Sequence, residues 1–165
     1  MNRATSNPIS LTPFLFLTVI MLPLMISVAH AAKIYPGPYQ ADVYYITDGD
    51  TFFARVKLWP GLNTDVSIRI LGVDTPESWR PKCDSEKAAG KAATEFLMSV
   101  FGSPYRTAIL DKPMATVELR NVKLGKYSGR VLADVFHNGQ NISDAIIAAG
   151  HGRPYAGGKR AGWCD

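Results

Sequence analysis

Hydrophobic and polar positions alternate through much of the middle of the chain. Asp42 to Ile46 and Thr51 to Leu58 are rich in Val, Ile, Tyr, Phe and Thr, and Asp48-Gly49-Asp50 lies between them, so both segments read as strands. Trp59-Pro60-Gly61-Leu62-Asn63 reads as a turn. A third strand follows over Val66 to Leu71, where Val66, Ile68 and Ile70 alternate with Ser67, Arg69 and Leu71. Gly72 to Pro81 contains two prolines and reads as a loop. From Asp84 the period lengthens. Ala89, Ala93, Phe96, Leu97 and Val100 fall at helical spacing, with Asp84 or Ser85 as the expected cap and Gly102 as the stop. Ala115 to Val122 and Arg130 to Phe136 return to strand character, and His137-Asn138-Gly139-Gln140 is a tight turn. Asn141 or Ser143 then opens a short helix, Asp144 to Ala149, ended by Gly150. Beyond it the chain is Gly/Pro-rich and reads as irregular.

Three strands, a helix, two strands and a helix make an α+β chain that is mainly β. The order is that of a five-stranded barrel of the oligonucleotide-binding (OB) type, with one helix between strands three and four and a second after strand five. An α+β sandwich shares this order. Barrels of the OB kind often take nucleic acids or sugars, but a fold does not settle a function.

The first segment has a different character. Arg3 is the only charge before Lys33, and Phe14 to Val28 is an apolar run ending in Ala29-His30-Ala31-Ala32. A positive start, a short apolar stretch and small residues at the exit are the parts of a secretory signal peptide, with cleavage expected after Ala31 or Ala32. A membrane-spanning helix wants about 20 apolar residues, and this run is shorter and broken by Pro23. Residues 1–31 are therefore expected to be a signal and residues 32–165 one domain, exported to the periplasm or outside the cell, with no stable membrane insertion once the signal is removed. The length of 165 residues, with 47% hydrophobic and 19% charged, suits a single cored domain and excludes a disordered tail, a collagen-like repeat or a polytopic membrane protein. A formal net charge of +4 suits a polyanionic partner, although many surfaces are simply lysine-rich. Export also bears on Cys83 and Cys164, the two cysteines of the chain. An even count in an oxidising compartment suggests a disulfide, worth about 4 kcal/mol in the chain-entropy model for so long a loop; two unrelated free thiols are the other reading.

Chemistry gathers in three stretches: Asp48-Gly49-Asp50-Thr51, then Arg69-Ile70-Leu71-Gly72-Val73-Asp74-Thr75-Pro76-Glu77, then Lys126-Tyr127-Ser128-Gly129-Arg130. Each has an ordinary explanation by itself, as turn chemistry, a loop entering a helix, or a solvated arginine on a strand. Together and in this order, D-G-D-T, R-x-L-x-V-D-T-P-E and a G-R opening a later strand, the chain resembles staphylococcal nuclease and its thermonuclease relatives. The resemblance runs from about Ala41 to about Tyr155, and the barrel of that family agrees with the pattern of elements.

The resemblance implies a Ca²⁺ site made by Asp50, Asp74 and the backbone carbonyl of Thr75, with Mg²⁺ the weaker candidate. It implies Glu77 as general base and Arg69 and Arg130 as the phosphate-binding arginines. The implied activity is a metal-dependent endonuclease acting on DNA and/or RNA with low sequence specificity and leaving 3′-phosphate ends. The same roles follow from residue chemistry. Carboxylates from separate segments make a hard oxygen site suited to Ca²⁺ or Mg²⁺, and His30, His137 and His151 form no zinc-ligand spacing. Planar, permanently charged guanidiniums suit phosphate oxygens, and a free glutamate suits proton removal from water.

Family members commonly carry a tyrosine two places before the later arginine. Here Ser128 holds that place and Tyr127 is displaced by one. Tyr155 stands near the family's nucleotide-stacking position but out of register. In place of the third helix of the staphylococcal enzyme, Ala156 to Asp165 is a glycine-rich basic stretch, which a Cys83–Cys164 bridge would pin beside the first helix. Arg153, Lys159 and Arg160 with Tyr155 and Trp163 read either as a basic, aromatic rim for a nucleic-acid strand or as a solvated tail with its tryptophan packed on the barrel. The expected protein is a monomer. The alternatives are a non-catalytic nucleic-acid-binding OB-fold module and an exported sugar-binding or interaction module on the same fold.

Overall fold

The computed structural model describes residues 33–103, 105 and 112–164, so the expected signal, residues 1–31, lies outside the described residues. β1 (Tyr39–Asp48) turns through Gly49-Asp50 into β2 (Thr51–Trp59), which turns through Pro60-Gly61 into β3 (Leu62–Ile70). A three-residue β4 (Gly72–Asp74) leads by a loop to α1 (Asp84–Val100). Then come β5 (Ala115–Leu124), β6 (Arg130–His137), β7 (Gln140–Asn141), α2 (Ile142–Ala148) and β8 (Arg153–Tyr155).

The main sheet has the order β3-β2-β1-β5-β6-β7, and a further pairing of β3 with β6 closes its first five strands into a barrel. That closing pair is parallel, in the register Ser67↔Arg130 to Ile70↔Ala133, while the other pairs of the barrel are antiparallel. The fold is thus the OB-type barrel that the element order predicts, with α1 between the third and fourth barrel strands and α2 after the fifth.

Strand alternation fills the barrel. Phe52, Ala54 and Val56 of β2 point inward, as do Ile68 and Ile70 of β3, Val117 and Leu119 of β5, and Ala133 and Val135 of β6. On β1 the inward set changes from Ala41 and Val43 to Ile46, and an irregularity in the β1–β2 register falls between Val43 and Tyr45. One extra residue there is what shifts the facing by one. Leu97 and Phe101, at the end of α1, close the barrel, and Phe101 meets the Phe52 ring edge-on at 5.5 Å. α2 adds Ile142 and Ile146 to the same core.

Several boundaries differ from the sequence reading. β3 begins at Leu62, not Val66, because its first residues are exposed on both faces and carry no alternation to read. β4 and β8 lie in segments read as loop and tail. They pair as Gly72↔Tyr155, Val73↔Pro154 and Asp74↔Arg153, too short a ladder to leave a period. The cap of α1 is Cys83, not Asp84 or Ser85: its Sγ accepts the Glu86 N–H at 3.5 Å. α2 starts at Ile142, ahead of Asp144, because the Asn141 side chain accepts the Ser143 N–H at 2.9 Å. Asn138 (φ 50°) and Gly139 (φ 79°) make the tight β6–β7 turn, both in the left-handed region that such a hairpin needs.

Cys83 and Cys164, 81 residues apart, form a disulfide with Cα atoms 6.0 Å apart, so the bridge and not the free-thiol alternative holds. Among the described residues no helix is long and apolar enough to cross a membrane.

Candidate active site

The β1–β2 turn, the end of β3 and the segment after β4 meet at one rim of the barrel. On β3 the inward places belong to Ile68 and Ile70, so Arg69 takes the outer face, where it stands opposite Thr51 in the register. There it is covered rather than solvated. Its Nη1 lies 2.6 Å from Asp50 Oδ1 and its Nη2 lies 3.5 Å from Asp74 Oδ1, so one guanidinium bridges two carboxylates from different segments. Asp50 is 2% exposed and Asp74 1% exposed, a depth at which carboxylates need cationic or hydrogen-bonding partners. Asp50 has further ones: Thr51 Oγ1 donates to it at 2.8 Å and the Thr75 backbone N–H at 3.4 Å. Burial pushes the Asp50 carboxyl above its ordinary range, against the pull of Arg69, the Thr51 and Thr75 hydrogen bonds, and Arg160.

Asp74 receives its remaining partners from the C-terminal stretch. Arg153 Nη2 lies 3.2 Å from Oδ2, Trp163 Nε1 donates to Oδ2 at 3.1 Å, and Arg160 Nε lies 3.3 Å from Oδ1. Arg160 also reaches Glu77, with Nη1 2.7 Å from Oε1. Partial burial works against the charge of Arg160, but the Glu77 hydrogen bond and the charges of Asp74, Asp50 and Glu77 outweigh it and raise its pKa.

Asp48 is a fourth carboxylate at this rim. Its pKa is pushed up to about 6, first by burial and then by the charges of Asp50 and Glu77, while hydrogen bonds from Ser78 and Gly49 hold it back. Two small residues of α1 let the segments close together. A Cβ at Gly49 would stand 2.6 Å from the Ala93 Cβ, and a Cβ at Gly90 would stand 2.6 Å from the Glu77 carbonyl carbon. The helix therefore packs directly on the backbone that carries Glu77.

The site thus brings together Asp50, Arg69, Asp74, Thr75 and Glu77. Among the described residues Arg130 makes no ion pair with these carboxylates. It opens β6 opposite Ser67, two places along from the Leu132 that faces Arg69, on the neighbouring strand. Its guanidinium lies over the Tyr127 ring at 4.6 Å, and its Nε is buried without a hydrogen-bond partner. Tyr127 is 60% exposed, so both side chains face outward beside the rim. Tyr155 opposes Gly72 in the β4–β8 ladder, and its hydroxyl donates to the Gly158 carbonyl at 2.7 Å. Its ring borders a cleft of about 540 Å³ shared with Arg69, Lys123 and Leu132.

Sequence reasoning left Arg153, Arg160 and Trp163 between a rim and a solvated tail, and gave Asp48 no role beyond the turn. All four touch the cluster or border it. The signal that points to them is indirect: a disulfide to Cys83 forces the basic tail back past the Asp74–Glu77 segment.

The donor set fits a hard cation. Among the described residues Thr75 Oγ1 is buried without a hydrogen-bond partner, and Asp74 Oδ1 is held only by the ion pairs to Arg69 and Arg160, beside the carboxylate of Asp50. Such oxygens suit Ca²⁺ or Mg²⁺. Cys83, Glu86 and Cys164 also lie together, but both sulfurs are in the disulfide and offer no thiolate.

Its similarity to known proteins places this barrel among nuclease-type domains. The family model described as staphylococcal nuclease homologue matches residues 67–161, from within β3 through Ala161. The chain belongs to that family. An uncharacterized protein of Bacillus anthracis is 34% identical to it over 110 residues, 67% of this chain and 44% of the relative, so the chain spans less than half that protein's length.

Proposed function

We propose that this chain is an exported, Ca²⁺-dependent nuclease that hydrolyses DNA and/or RNA phosphodiesters with low sequence specificity and leaves 3′-phosphate ends. The observation that carries the reading is the convergence of Asp50, Arg69 and Asp74 from three segments on one buried rim, with Glu77 beside them. Asp50, Asp74 and the Thr75 carbonyl would hold the ion, which when bound supplies charge to a phosphate and orients water. Glu77 takes the proton from the attacking water, from a carboxylate half-open to solvent. Arg69, released in part from its carboxylates, and Arg130, whose Nε has no internal partner, neutralise the non-bridging oxygens as charge builds on the phosphate. The exposed Tyr127 and the cleft wall at Tyr155 offer apolar faces to bases, contacts that are tolerant of sequence.

Export is part of the proposal. Its support is the Arg3, Phe14 to Val28 and Ala29-His30-Ala31 pattern, together with a disulfide of the kind oxidising compartments maintain. On this reading residues 32–165 act as a monomeric domain in the periplasm or outside the cell.

The test follows fragmentation of long single-stranded DNA and RNA by the oxidised protein in Ca²⁺, in Mg²⁺ and in chelator, beside Glu77→Gln. Calcium-dependent cutting to 3′-phosphate ends, reduced by roughly two or more orders of magnitude in Glu77→Gln, is the expected result. Tight binding with no cutting under either metal would instead make the chain a nucleic-acid-binding module.

A further inference from the structure

The stretch after β8 is tied down at both ends to the two segments that carry the candidate catalytic carboxylates. At its start, β8 pairs Arg153 with Asp74 itself. The chain then turns through Gly157 (φ 106°) and Gly158 (φ 89°), and the Tyr155 hydroxyl holds the turn by donating to Gly158 O. Arg153 donates to the carbonyls of Ala161 and Gly162, lies 3.9 Å over the Trp163 ring, and shares Asp74 Oδ2 with the Trp163 indole N–H. The end is covalent: Cys164 is bonded to Cys83, the cap of α1, and α1 packs through Gly90 on the backbone of Glu77.

Between these anchors Arg160 lies across Glu77 Oε1 and Asp74 Oδ1. We propose that Arg160 is a positioning residue of the hydrolytic centre, held there by the Cys83–Cys164 disulfide so that its guanidinium fixes the Glu77 carboxylate. This rests on the nuclease reading of Glu77 given above. Among the described residues Arg160 supplies the one ion pair and the one hydrogen bond to that carboxylate. Without it a glutamate with a half-open side chain is free to sample several rotamers, and a base that wanders loses the advantage of a fixed approach to water. The contact is one-sided: it engages Oε1 and leaves Oε2 without a donor among the described residues, an orientation that restrains the base and still leaves an oxygen to accept a proton. The tail is then a working part of the site, and the disulfide acts on turnover through Arg160.

Four proteins distinguish this from a structural role: wild type, Arg160→Gln, Arg160→Lys, and Cys83→Ala/Cys164→Ala, each checked for cooperative unfolding. Wild-type cleavage is measured first, since its absence under every metal sinks the nuclease reading and the positioning role with it. With wild type active, Arg160→Gln is expected to lower kcat about 10- to 100-fold with KM changed less than about threefold. Arg160→Lys restores part of kcat. Reducing the disulfide of the folded wild type with a small dithiol is expected to lower kcat by a similar factor. That reaction gives the Cys83 and Cys164 thiols while the dithiol leaves as its own cyclic disulfide. The same treatment has little further effect on Arg160→Gln, the non-additivity expected of two changes acting on one interaction. The indole N–H resonance of Trp163 reports the tail directly: it shifts on reduction in both backgrounds, and shifts less in oxidised Arg160→Gln, where the Asp74 carboxylate that accepts it loses one guanidinium but the tail stays tied. An oxidised Arg160→Gln protein with wild-type kcat overturns the proposal. So does one with raised kcat, which would make the tail a cap over the site. The Arg160 variants keep the disulfide, so they decide the matter even where the cysteine variant fails to fold.

Discussion

At the scale of single residues, the rim is a balance of buried charge, with Asp48, Asp50, Asp74 and Glu77 set against Arg69, Arg153 and Arg160. Arg69 is the partner whose loss leaves Asp50 with no guanidinium in contact, and removing one member of a buried pair strands the other. Arg69→Met is expected to destabilise the metal-free protein by roughly 3 kcal/mol in urea unfolding. Asp48 gives a pH signature. Its folded pKa of about 6 lies above the ordinary 3.8, so its contribution to stability is fully present below about pH 4 and is lost as pH rises through about 6. In chelator, Asp48→Asn should therefore flatten the fall in stability over that window and unfold at higher denaturant than wild type at pH 7. Urea midpoints at pH 4, 5, 6 and 7 for the two proteins check this, and parallel curves would refute it. Asp50 and Glu77 charges were legible as chemistry from their motifs, but the burial of Asp48 was not, because an Asp-Gly-Asp turn looks the same whether or not a helix covers it.

At the scale of elements, α1 does more than fill the barrel. By propensity Gly90 is a poor choice inside a helix, and alanine there would be favoured by about 1 kcal/mol. Yet a Cβ at 90 would collide with the Glu77–Ser78 backbone at 2.6–2.7 Å. Gly90→Ala is expected to lower both the thermal midpoint and the cleavage rate, the rate by at least about tenfold, because it is the backbone of Glu77 that must move. A gain in thermal stability with unchanged turnover would show that helix and loop are not coupled there. The periodic parts of β2, β3, β5, β6 and α1 could be read from the sequence, since their buried faces repeat every second or every third to fourth residue. The β4–β8 ladder could not: a three-residue pair containing Pro154 has no room for a period, and its existence depends on the chain returning to Asp74 from far along the sequence.

At the scale of the whole molecule, the disulfide joins Cys164 to Cys83 at the start of α1. Reducing it is expected to cost about 2–4 kcal/mol, read as a lower thermal midpoint of the reduced protein under metal-free conditions. For nucleic acid, the proposal that Arg69 and Arg130 take the phosphate predicts a shallow salt dependence. The logarithm of single-strand affinity of Glu77→Gln should fall with the logarithm of salt concentration at a slope of roughly −1.5, and a much steeper slope would mean that the basic tail carries phosphates as well. The order of the five barrel strands and two helices, the OB barrel as the leading arrangement, and Asp50, Arg69, Asp74, Thr75, Glu77 and Arg130 as a candidate set were legible in the sequence itself, the last through the resemblance of three motifs taken together. Alternation, helical spacing and residue chemistry are local properties that need no neighbours to be read. Which of those residues meet, how deeply their charges are buried, and that Arg153, Arg160 and Trp163 close over them were decided only in the tertiary structure. Those are contacts between segments far apart in the chain, Arg160 with Glu77 and Trp163 with Asp74, and they exist because the β4–β8 pair and one disulfide bring the C-terminal stretch back to the mid-chain segment at the barrel rim.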